Sequence, residues 1–365
     1  MTLKIIYIGP MELPIPSEKG AVEEIIWQLS QRLKKVANVF VFNPLSTTTI
    51  NKVVKSLKLL VSGFSDNYII HSHNLYTSIA LSSNFMRFKH ILTLHYPPNI
   101  TKSKERRKIL EKTLKYLDRA GTIITAPSRY IKERLKDTGI KQVVYLPNGV
   151  DLSLFNPLKR SDELREKLLE GKDVLIVNVG RKHPHKNQLA LLIALNKIVH
   201  RHDYRNLKLV LIGPTSGTFK GGKENPYYRL LIEYIQKHSL KPYVTFAKLP
   251  RRQQVAKFLA SSDIYVHPSR VEAAPLAILE AMASKLPIVA FDLPYYRGCL
   301  VHEVNALLAT PFNVNKLTTY LLTLIEDSSL RRKLAENACK DVNKRFSWDS
   351  LSPLYLHLYK RVLGL

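Results

Sequence analysis

Short apolar runs alternate with stretches of helical spacing from the first residues of the chain. The run Leu3 to Ile8 is followed by a loop with Gly and Pro, and apolar residues then recur at helical spacing from Val22 to Val36. A second apolar run, Val39 to Phe42, comes next. Short apolar runs predict buried strands, and the periodic stretch between them predicts a helix. This β-α-β pattern therefore predicts a parallel sheet with right-handed crossovers.

The alternation continues in two series of similar size. The first series ends at Pro147-Asn148-Gly149, and the second begins at Val174 after a polar stretch. The other strand candidates are Tyr68 to His71, His90 to Leu94, Thr122 to Thr125, Val143 to Leu146, Val174 to Val177, Leu207 to Ile212, Tyr243 to Phe246, Ile264 to Val266 and Pro287 to Phe291. Two such series predict an α/β protein with two Rossmann-like, doubly wound parallel-sheet domains and a boundary at residues 150–170.

Length and composition agree with two domains. At roughly 150 residues per domain, a chain of 365 residues is long enough for two cores. The two cysteines, Cys299 and Cys339, form no CxxC pair, which argues against a zinc ribbon, a redox dithiol or a disulfide-stapled fold. No apolar run reaches the roughly 20 residues that span a bilayer. The sequence therefore predicts a soluble, cytoplasmic protein.

The charge is the unusual compositional feature, because 56 Lys and Arg against 29 Asp and Glu give a net charge of +27. Such an excess predicts an anionic partner, which leaves nucleic acid, a membrane surface and phosphorylated small molecules as candidates. No recognition helix, RNP motif or basic stripe interleaved with aromatic residues is present. A nucleic-acid-binding protein is therefore the weakest of these alternatives.

Candidate chemistry is sought in the loops after strands. Ligands of doubly wound sheets bind beyond the carboxyl ends of the strands, and with two domains the expected place is the cleft between them. After one strand, Pro275 suits the first position of a helix, so the amides of Leu276 and Ala277 would be free to hold an anion. Glu272 precedes this helix and would suit hydroxyl groups better than phosphate. The alternative is that Glu272 and Glu280 are ordinary surface residues.

A second loop after a strand carries two cations. Arg181 and Lys186 follow Gly180 and would clamp a diphosphate, with Arg as a bidentate donor and Lys as a point charge. The alternative is a solvated basic loop, which is common in so basic a protein. Gly20, ahead of the first helix, would permit a close backbone approach to phosphate. The G-x-G-x-x-G dinucleotide fingerprint is absent.

Histidines give a weaker signal. His95 directly follows a strand candidate, where it would reach a substrate hydroxyl or carbonyl, but spacing alone favours a structural role. The pairs His71/His73 and His183/His185 have no Cys or clustered carboxylates to complete a ligand set, and the chain contains no Asp-x-Asp. The sequence therefore predicts no metal site.

Taken together, these segments resemble the family-four retaining glycosyltransferases of GT-B type. They are similar to the family's interdomain signature, its phosphate-binding loop and its Glu-x7-Glu motif, and they stand in the family's order over nearly the whole chain. The matching stretches are 66–73, 93–95, 146–151 with Phe155, 178–181 with Lys186, and 269–283. Each motif alone is weak, but the combination is specific.

The resemblance implies a transferase that moves a sugar from a nucleotide-diphosphate sugar to a hydroxyl acceptor with retention, without a metal or other cofactor. The acceptor would be a lipid-linked glycan, a glycolipid or a polysaccharide precursor. Residues 1–160 would bind the acceptor, residues 161–345 the nucleotide sugar, and a last helix, residues 346–365, would cross back to the first domain. A sugar-nucleotide epimerase or a phosphorylase of the same fold is the alternative, although the motif order argues against it.

The resemblance also assigns roles to single residues. Arg181 and Lys186 would hold the diphosphate and stabilise the departing nucleotide. Glu272 would bind the sugar hydroxyls, and His95 would contact the sugar or support its anomeric centre. The further donor contacts would be Glu280 at the ribose hydroxyls, Gly20 and the amides of Leu276 and Ala277 at the diphosphate, and backbone near Leu249 at the nucleobase.

Two segments depart from the family pattern. Many relatives have Glu-Gly-Phe-Gly where this chain has Glu272-Ala273-Ala274-Pro275, and Pro275 removes one N–H from the phosphate cradle. The glycine-rich loop expected near the start is reduced to Lys19-Gly20-Ala21. The second departure leaves the N-terminal contact with the diphosphate open.

One basic stretch offers a further use for the charge. Residues 102–119 hold eight cations against three acidic residues, and their apolar edge consists of Ile109, Leu110, Leu114 and Leu117. This pattern predicts an amphipathic helix on the acceptor-binding domain. It would either dock on an anionic membrane that presents a lipid acceptor or be a solvated helix packed by its apolar edge. The pattern favours neither alternative.

Overall fold

The computed structural model describes residues 3–10, 15, 20–43, 55, 68–84, 89–96, 103–215, 225–247, 251–272 and 276–365. The chain forms two compact units. Unit 1 comprises Met1–Gly149 together with Trp348–Leu365, and unit 2 comprises Val150–Ser347. Each unit is built on one six-stranded parallel sheet.

All the strands except β12 agree with the apolar runs of the sequence to within one or two residues. Unit 1 contains β1 (Lys4–Ile8), β2 (Asn38–Phe42), β3 (Tyr68–Ser72), β4 (Lys89–Thr93), β5 (Ile123–Ala126) and β6 (Val143–Tyr145). Unit 2 contains β7 (Val174–Val179), β8 (Leu207–Ile212), β9 (Val244–Ala247), β10 (Ile264–His267), β11 (Ile288–Phe291) and β12 (Leu307–Ala309). The predicted α/β class with two parallel sheets is therefore confirmed.

The strand order shows where each sheet changes direction. It is β2-β1-β3-β4-β5-β6 in unit 1 and β12-β11-β10-β7-β8-β9 in unit 2. Read from β9, the second order is the Rossmann order 3-2-1-4-5-6, with its reversal between β7 and β10. In unit 1 the reversal lies between β1 and β3. The inner strands are buried along nearly their whole length, as is expected of strands covered by helices on both faces.

Helices follow the strands in both units. Unit 1 contains α1 (Ala21–Leu33), α2 (Leu75–Asn84), α3 (Lys104–Arg119), α4 (Arg129–Lys136) and, at the end of the chain, α12 (Trp348–Leu363). Unit 2 contains α5 (Asp162–Leu169), α6 (Gln188–His200), α7 (Pro226–Lys237), α8 (Arg252–Ala260), α9 (Leu276–Ala283), α10 (Val314–Glu326) and α11 (Ser328–Arg345). Short 3-10 turns lie at Pro157–Lys159, Lys241–Tyr243 and Pro294–Tyr296.

Three local expectations need correction. The first helix ends at Leu33 rather than near Val36, which is 58% exposed, because a turn follows there and leads directly into β2. The strand β12 was not predicted, since it has only three residues and follows a segment of turns. The predicted apolar edge of α3 is buried only in part, because Ile109 is 63% exposed whereas Leu114 and Leu117 are fully buried.

The unit boundary lies earlier than the predicted division at residue 160. Val150 already belongs to unit 2, because the segment after it packs into that unit's core. Phe155 is fully buried among the unit 2 core residues, and the amide of Ser161 donates to Ser261 Oγ at 3.0 Å. The segment expected to link two domains is thus part of the second one.

The last helix, α12, packs in unit 1 beside the first helix and the sheet. Its Tyr359 hydroxyl lies 2.8 Å from the Tyr7 hydroxyl on β1 and 2.7 Å from His71 Nδ1 on β3. At its start, the ring of Trp348 fills the space beside Gly149, where a Cβ atom would lie 2.5 Å from the indole. The helix therefore completes the core of unit 1.

Candidate active site

Two of the predicted site loops flank the point where the strand order of unit 2 reverses. The connections from β7 and β10 run to opposite faces of the sheet, and the carboxyl edge at such a reversal is where doubly wound sheets bind their ligands. The loop after β7 carries Arg181 and Lys186, and the loop after β10 carries Glu272. Asn178 Nδ2, near the end of β7, donates to the Val266 carbonyl oxygen of β10 at 2.8 Å.

Lys186 and Glu272 are in direct contact. Lys186 Nζ donates to Glu272 Oε1 at 2.5 Å, and the two side chains are 25% and 8% exposed. The loops are also joined through the backbone, because the amide of Arg270 donates to the His185 carbonyl oxygen at 2.7 Å. Two residues that came from different sequence motifs thus lie within one hydrogen bond of each other.

Glu272 Oε1 has a second partner, His267. The Nε2 atom of His267 lies 2.8 Å from Oε1, and its Nδ1 atom lies 2.8 Å from the Tyr265 hydroxyl. Ser269 Oγ lies 3.1 Å from the same Nε2. His267 is the last residue of β10 and is 1% exposed, so this chain of polar groups is buried in the unit.

Opposing effects act on the pKa of Glu272. Burial alone raises the pKa of this carboxyl, but the Lys186 ammonium and the hydrogen bond from His267 outweigh burial and hold the pKa well below its usual range. Burial lowers the pKa of His267, and Glu272 offsets only part of that effect. At neutral pH the site therefore holds an ionised Glu272 beside a neutral His267.

Lys182 lies next to Arg181 but points into the protein. Its side chain is 2% exposed, and Nζ donates to the carbonyl oxygens of Leu211 at 3.2 Å and Gly213 at 3.1 Å. Burial lowers the pKa of Lys182 to about 7. These bonds tie the loop after β7 to the end of β8, so Lys182 supports the cation-bearing loop from beneath.

Gly213 allows the same two loops to approach each other. Its φ of 119° lies in the region that favours glycine, and a Cβ atom there would lie 2.7 Å from the Gly180 carbonyl oxygen. A larger residue at this position would push the loop after β7 away from β8.

Arg181 is exposed at the carboxyl edge of the sheet, and its guanidinium makes no ion pair within the described ranges. Its backbone is fixed, because Gln188 Nε2 donates to the Arg181 carbonyl oxygen at 3.1 Å. Arg181 is thus free to turn its side chain toward an anion, whereas Lys186 is held by Glu272.

Glu280 is paired with a residue that the sequence analysis did not single out. Arg252 Nη2 donates to Glu280 Oε1 at 3.0 Å, and the Arg252 guanidinium lies over the Phe155 ring at 5.1 Å from its centroid. Glu280 itself is buried on α9. The carboxylate expected at the ribose is therefore held by Arg252 of α8, whose guanidinium packs in turn on Phe155.

Only some of the other residues predicted to contact the donor in unit 2 lie within the described part of the chain. Leu276 and Ala277 are half-buried in the first turn of α9, as the sequence predicted for a helix N-terminus. Pro275 and Leu249 lie outside the described residues. Their predicted contacts stay predictions.

His95 lies in unit 1, just beyond β4. It is 8% exposed, and its Nε2 lies 2.9 Å from Nδ1 of His73, which follows β3. The ring of His73 stacks between those of His95 and His71, with centroid distances of 5.2 and 4.6 Å. Burial lowers the pKa of His95 to about 4, so it is neutral at pH 7. The contact with His73 was not predicted.

Gly20 is the N-cap of α1 and has extended backbone. A Cβ atom at this position would lie 1.9 Å from Glu23 Oε2, so a carboxylate occupies the space beside the glycine. Glu23 is 4% exposed. This arrangement does not favour a diphosphate at Gly20, because a carboxylate repels phosphate.

Within the described ranges, no three His, Cys, Asp or Glu side chains gather as a metal site would require. None of the helices in the described part of the chain is both long enough and apolar enough to cross a membrane.

Two protein-family models match this chain. The model described as Glycosyl transferases group 1 matches residues 160–341, and the model Glycosyltransferase Family 4 matches residues 21–154. The chain belongs to the family-4 glycosyltransferases. The two models cover unit 2 and unit 1 almost separately, and the second begins at the first residue of α1.

The curated relatives include uncharacterised glycosyltransferases and enzymes that are named for a reaction. An uncharacterized glycosyltransferase of Methanocaldococcus jannaschii is 29% identical over 53% of this chain and 46% of its own length. UDP-Gal:alpha-D-GlcNAc-diphosphoundecaprenol alpha-1,3-galactosyltransferase of Escherichia coli is 26% identical over 76% of this chain and 73% of its own. Alpha-monoglucosyldiacylglycerol synthase of Streptococcus pneumoniae is 26% identical over 61% of this chain and 50% of its own.

Solved structures share the fold of this glycosyltransferase over its whole length. Sucrose-phosphate synthase from Thermosynechococcus elongatus superposes with a TM-score of 0.82 at 19% identity, over 99% of both chains. Anabaena HepE in complex with UDP and glucose superposes with a TM-score of 0.80 at 19% identity, over 98% of this chain and 100% of the other. The predicted GT-B fold is confirmed.

Sequence reasoning missed three residues of this glycosyltransferase that hold predicted site residues or the loop that carries them. His267 stands at the carboxyl end of a strand, which is the same signal that singled out His95. Lys182 sits inside the phosphate-binding motif, but nothing in the sequence distinguishes its buried side chain from its exposed neighbours. Arg252 gave no signal, because its contact with Glu280 spans 28 residues and depends on how α8 packs.

Proposed function

We propose that this protein is a retaining, metal-independent glycosyltransferase that uses a nucleotide-diphosphate sugar. The observation that carries the proposal is the direct contact of Lys186 with Glu272 at the reversal point of the unit 2 sheet. A cation suited to diphosphate and a carboxylate suited to sugar hydroxyls are thus adjacent. That HepE was solved with UDP and glucose supports this class of donor.

The charges of the pair would orient the donor. A diphosphate is drawn to Lys186 and to the exposed Arg181, and it is repelled by the ionised Glu272. Sugar hydroxyls, by contrast, donate well to a carboxylate. The donor would therefore bind with its diphosphate on the β7 loop and its sugar toward Glu272, and Lys186 would exchange its bond to Glu272 for a phosphate oxygen. Glu280, held by Arg252, is proposed to accept from the ribose hydroxyls.

The same cations would promote transfer. When the bond from the anomeric carbon to the leaving phosphate oxygen breaks, negative charge develops on the nucleotide diphosphate, and Arg181 and Lys186 would stabilise it without a metal. The acceptor hydroxyl would attack from the face that the nucleotide leaves, and its proton would pass to the departing phosphate oxygen. His95 is proposed to support the sugar at its anomeric centre.

A thermal-shift panel of UDP-, GDP- and ADP-sugars tests the donor site. We expect at least one of them to raise the melting temperature, and incubation with an acceptor should release the nucleotide diphosphate with or without EDTA. Nuclear magnetic resonance of the product should show the anomeric configuration of the donor. No stabilisation by any nucleotide sugar would contradict the donor site, and conversion of the sugar without an acceptor would favour an epimerase.

We further propose that the acceptor is carried on a lipid. One relative is named for a diphosphoundecaprenol-linked acceptor, and another is named for a glycolipid product, monoglucosyldiacylglycerol. The surface of α3 supports this proposal, because Lys108, Lys112 and Lys115 are exposed together with Ile109 and Tyr116. Exposed cations beside exposed apolar side chains are typical of helices that bind the headgroup region of an anionic membrane.

A further inference from the structure

A series of buried hydrogen bonds runs from Tyr265 through His267 to Glu272. The role that we infer for it rests on the proposed function and extends that function. We propose that His267 is a positioning residue, which holds Glu272 in place for the donor sugar when the diphosphate draws Lys186 away. Neither the family motifs nor the sequence analysis assigned a role to His267.

The protonation states of the chain follow from its hydrogen bonds. Glu272 is ionised and accepts only, so the hydrogen atom between Glu272 Oε1 and His267 Nε2 belongs to the histidine. The neutral ring then has a lone pair on Nδ1, and the Tyr265 hydroxyl must donate to it. Tyr265 thus fixes the tautomer of His267 that Glu272 requires.

The contacts of Glu272 show why a second partner matters. Lys186 and His267 both bond Oε1, at 2.5 and 2.8 Å, and Oε2 has no hydrogen bond within the described ranges. In this proposal Oε2 is the oxygen that accepts from the sugar hydroxyls. Once Lys186 turns to a phosphate, His267 is the one hydrogen-bond partner that Glu272 retains among the described residues.

The two partners differ in how firmly they are held. Lys186 lies in a loop and its side chain is 25% exposed, so it is able to turn toward a ligand. His267 belongs to β10 and its side chain is 1% exposed. Its ring lies between those of Tyr265 and Tyr296, with centroid distances of 5.8 and 5.9 Å. A ring packed in this way keeps its orientation while the loop cation moves.

Two substitutions at this position separate the hydrogen bond from the packing. His267→Leu keeps an apolar side chain but removes the donor, and His267→Gln places an amide N–H near the position of Nε2. His90→Leu is the matched control, since His90 is also buried but stands near the start of β4 in unit 1, where it contacts Thr122. For each protein, calorimetry would measure binding of the UDP-, GDP- or ADP-sugar that stabilises the wild type, and of its nucleotide diphosphate alone.

We expect His267→Leu to weaken binding of the nucleotide sugar by about 10-fold to 100-fold, because a hydrogen bond to a charged group is lost. Binding of the nucleotide diphosphate should weaken by less, since the nucleotide diphosphate itself makes no bond to Glu272. His267→Gln should recover most of the lost affinity, and His90→Leu should bind both ligands like the wild type.

The outcomes distinguish this inference from the proposed function. A wild-type protein that binds no nucleotide sugar would overturn both. Wild-type binding that His267→Leu leaves unchanged, or a loss of both ligands in equal measure, would overturn the role of His267 alone. Long-range proton–nitrogen correlation gives an independent check, because the inference requires the proton of His267 on Nε2 and a proton on Nδ1 alone would contradict it.

Discussion

Lys186 and Glu272 neutralise each other before any ligand arrives, and this has a consequence for binding. The bond between them, 2.5 Å long, competes with the diphosphate for the Lys186 ammonium. The carboxylate that would orient the sugar thereby weakens the site for the nucleotide. A ligand with both a diphosphate and a sugar replaces both halves of the ion pair, whereas a nucleotide diphosphate alone leaves Glu272 without its cation.

Glu272→Gln separates these two effects. Because the amide no longer holds Lys186, we expect the nucleotide diphosphate to bind about 3-fold to 10-fold more tightly. Transfer should nevertheless fall by about 100-fold or more, since the sugar loses its charged acceptor. Calorimetry and an assay of nucleotide release measure the two quantities.

The control for this prediction is Glu170→Gln, which removes the carboxylate of another close ion pair of unit 2, the one with Lys208 at 2.7 Å. It should leave both binding and transfer unchanged. Weaker binding of the diphosphate to Glu272→Gln would show that the carboxylate does not compete for Lys186.

Lys182 makes the stability of unit 2 depend on pH. Its pKa is about 7 in the folded protein and about 10.5 when unfolded, so between these values the unfolded chain binds the additional proton. The free energy of unfolding should therefore rise from pH 7 to pH 10, with a slope of up to about 1.4 kcal/mol per pH unit. Urea unfolding followed by circular dichroism measures this slope.

Lys182→Met is the matched variant, because it retains a long side chain and cannot titrate. Its slope over the same pH range should be smaller by the contribution of one proton. An identical slope in the variant and the wild type would refute the depressed pKa of Lys182.

Helix α3 is the element whose surface is least explained by the fold. Only its Leu114 and Leu117 are fully buried, and its N-cap Ser103 accepts from the Arg106 amide, so the helix is well formed without its exposed cations. Unit 1 therefore does not require the positive charge of this helix for its packing. That leaves the charge available for a membrane surface.

A triple substitution of Lys108, Lys112 and Lys115 by Gln tests this use of α3. Each cation near an anionic surface contributes about 1 kcal/mol, so binding to phosphatidylglycerol vesicles at low salt should weaken by about 100-fold. Wild-type binding should also decrease as salt rises. Vesicle co-sedimentation measures both effects.

The matched control changes Lys333, Lys340 and Lys344 to Gln, since these lysines are exposed along one face of α11 in unit 2. This variant has the same net charge and should bind vesicles like the wild type. Equal losses in the two variants would mean that vesicle binding follows overall charge rather than α3.

The start of α12 is fixed by a tight contact with Gly149. A Cβ atom at residue 149 would lie 2.5 to 2.9 Å from three atoms of the Trp348 indole, and this buried ring cannot move aside cheaply. We expect Gly149→Ala to lower the free energy of unfolding of unit 1 by about 1–3 kcal/mol. In a Trp348→Leu background the same substitution should cost much less. An equal cost in both backgrounds would exclude the clash as the cause.

At the scale of the molecule, the two units differ in their buried histidines, because among the described residues unit 1 holds four and unit 2 holds His267 alone. Unit 1 holds His71, with a pKa that burial lowers to about 3, His90 and His95, with a pKa of about 4, and His73, whose pKa is well below its usual value. Between pH 6.5 and 4 these side chains are neutral in the folded unit and protonated in the unfolded chain. The free energy of unfolding of unit 1 should therefore fall as the pH falls through this range.

Tryptophan fluorescence isolates this effect, because both tryptophans of the chain, Trp27 and Trp348, belong to unit 1. As the pH is lowered, we expect the urea midpoint of the fluorescence transition to begin to fall at a higher pH than the urea midpoint of the circular dichroism transition, which also reports on unit 2. His90→Leu should reduce the pH slope by about 1.4 kcal/mol per pH unit at most. Coincident transitions at every pH would contradict the difference between the units.

The fold was largely predictable from the sequence, because strands that are buried on both faces give short, mainly apolar runs in the sequence. The exceptions have local causes, such as β12, which has three residues, and Phe155, whose burial in unit 2 depends on packing. Of the candidate site, the residue types and loops were predictable for Lys186 and Glu272. Their contact, and the supports from His267, Lys182 and Arg252, were not, because they depend on which strands become neighbours in the sheet.

The discontinuity of unit 1 affects how the chain is made. Tyr7 and its partner Tyr359 are separated by 352 residues, and all of unit 2 is translated between them. On the ribosome, all of unit 2 is synthesised before α12, so the first sheet lacks its last helix until unit 2 has been made. The half that is synthesised first is therefore completed last, and a chain released before residue 348 would keep unit 2 but leave unit 1 unfinished.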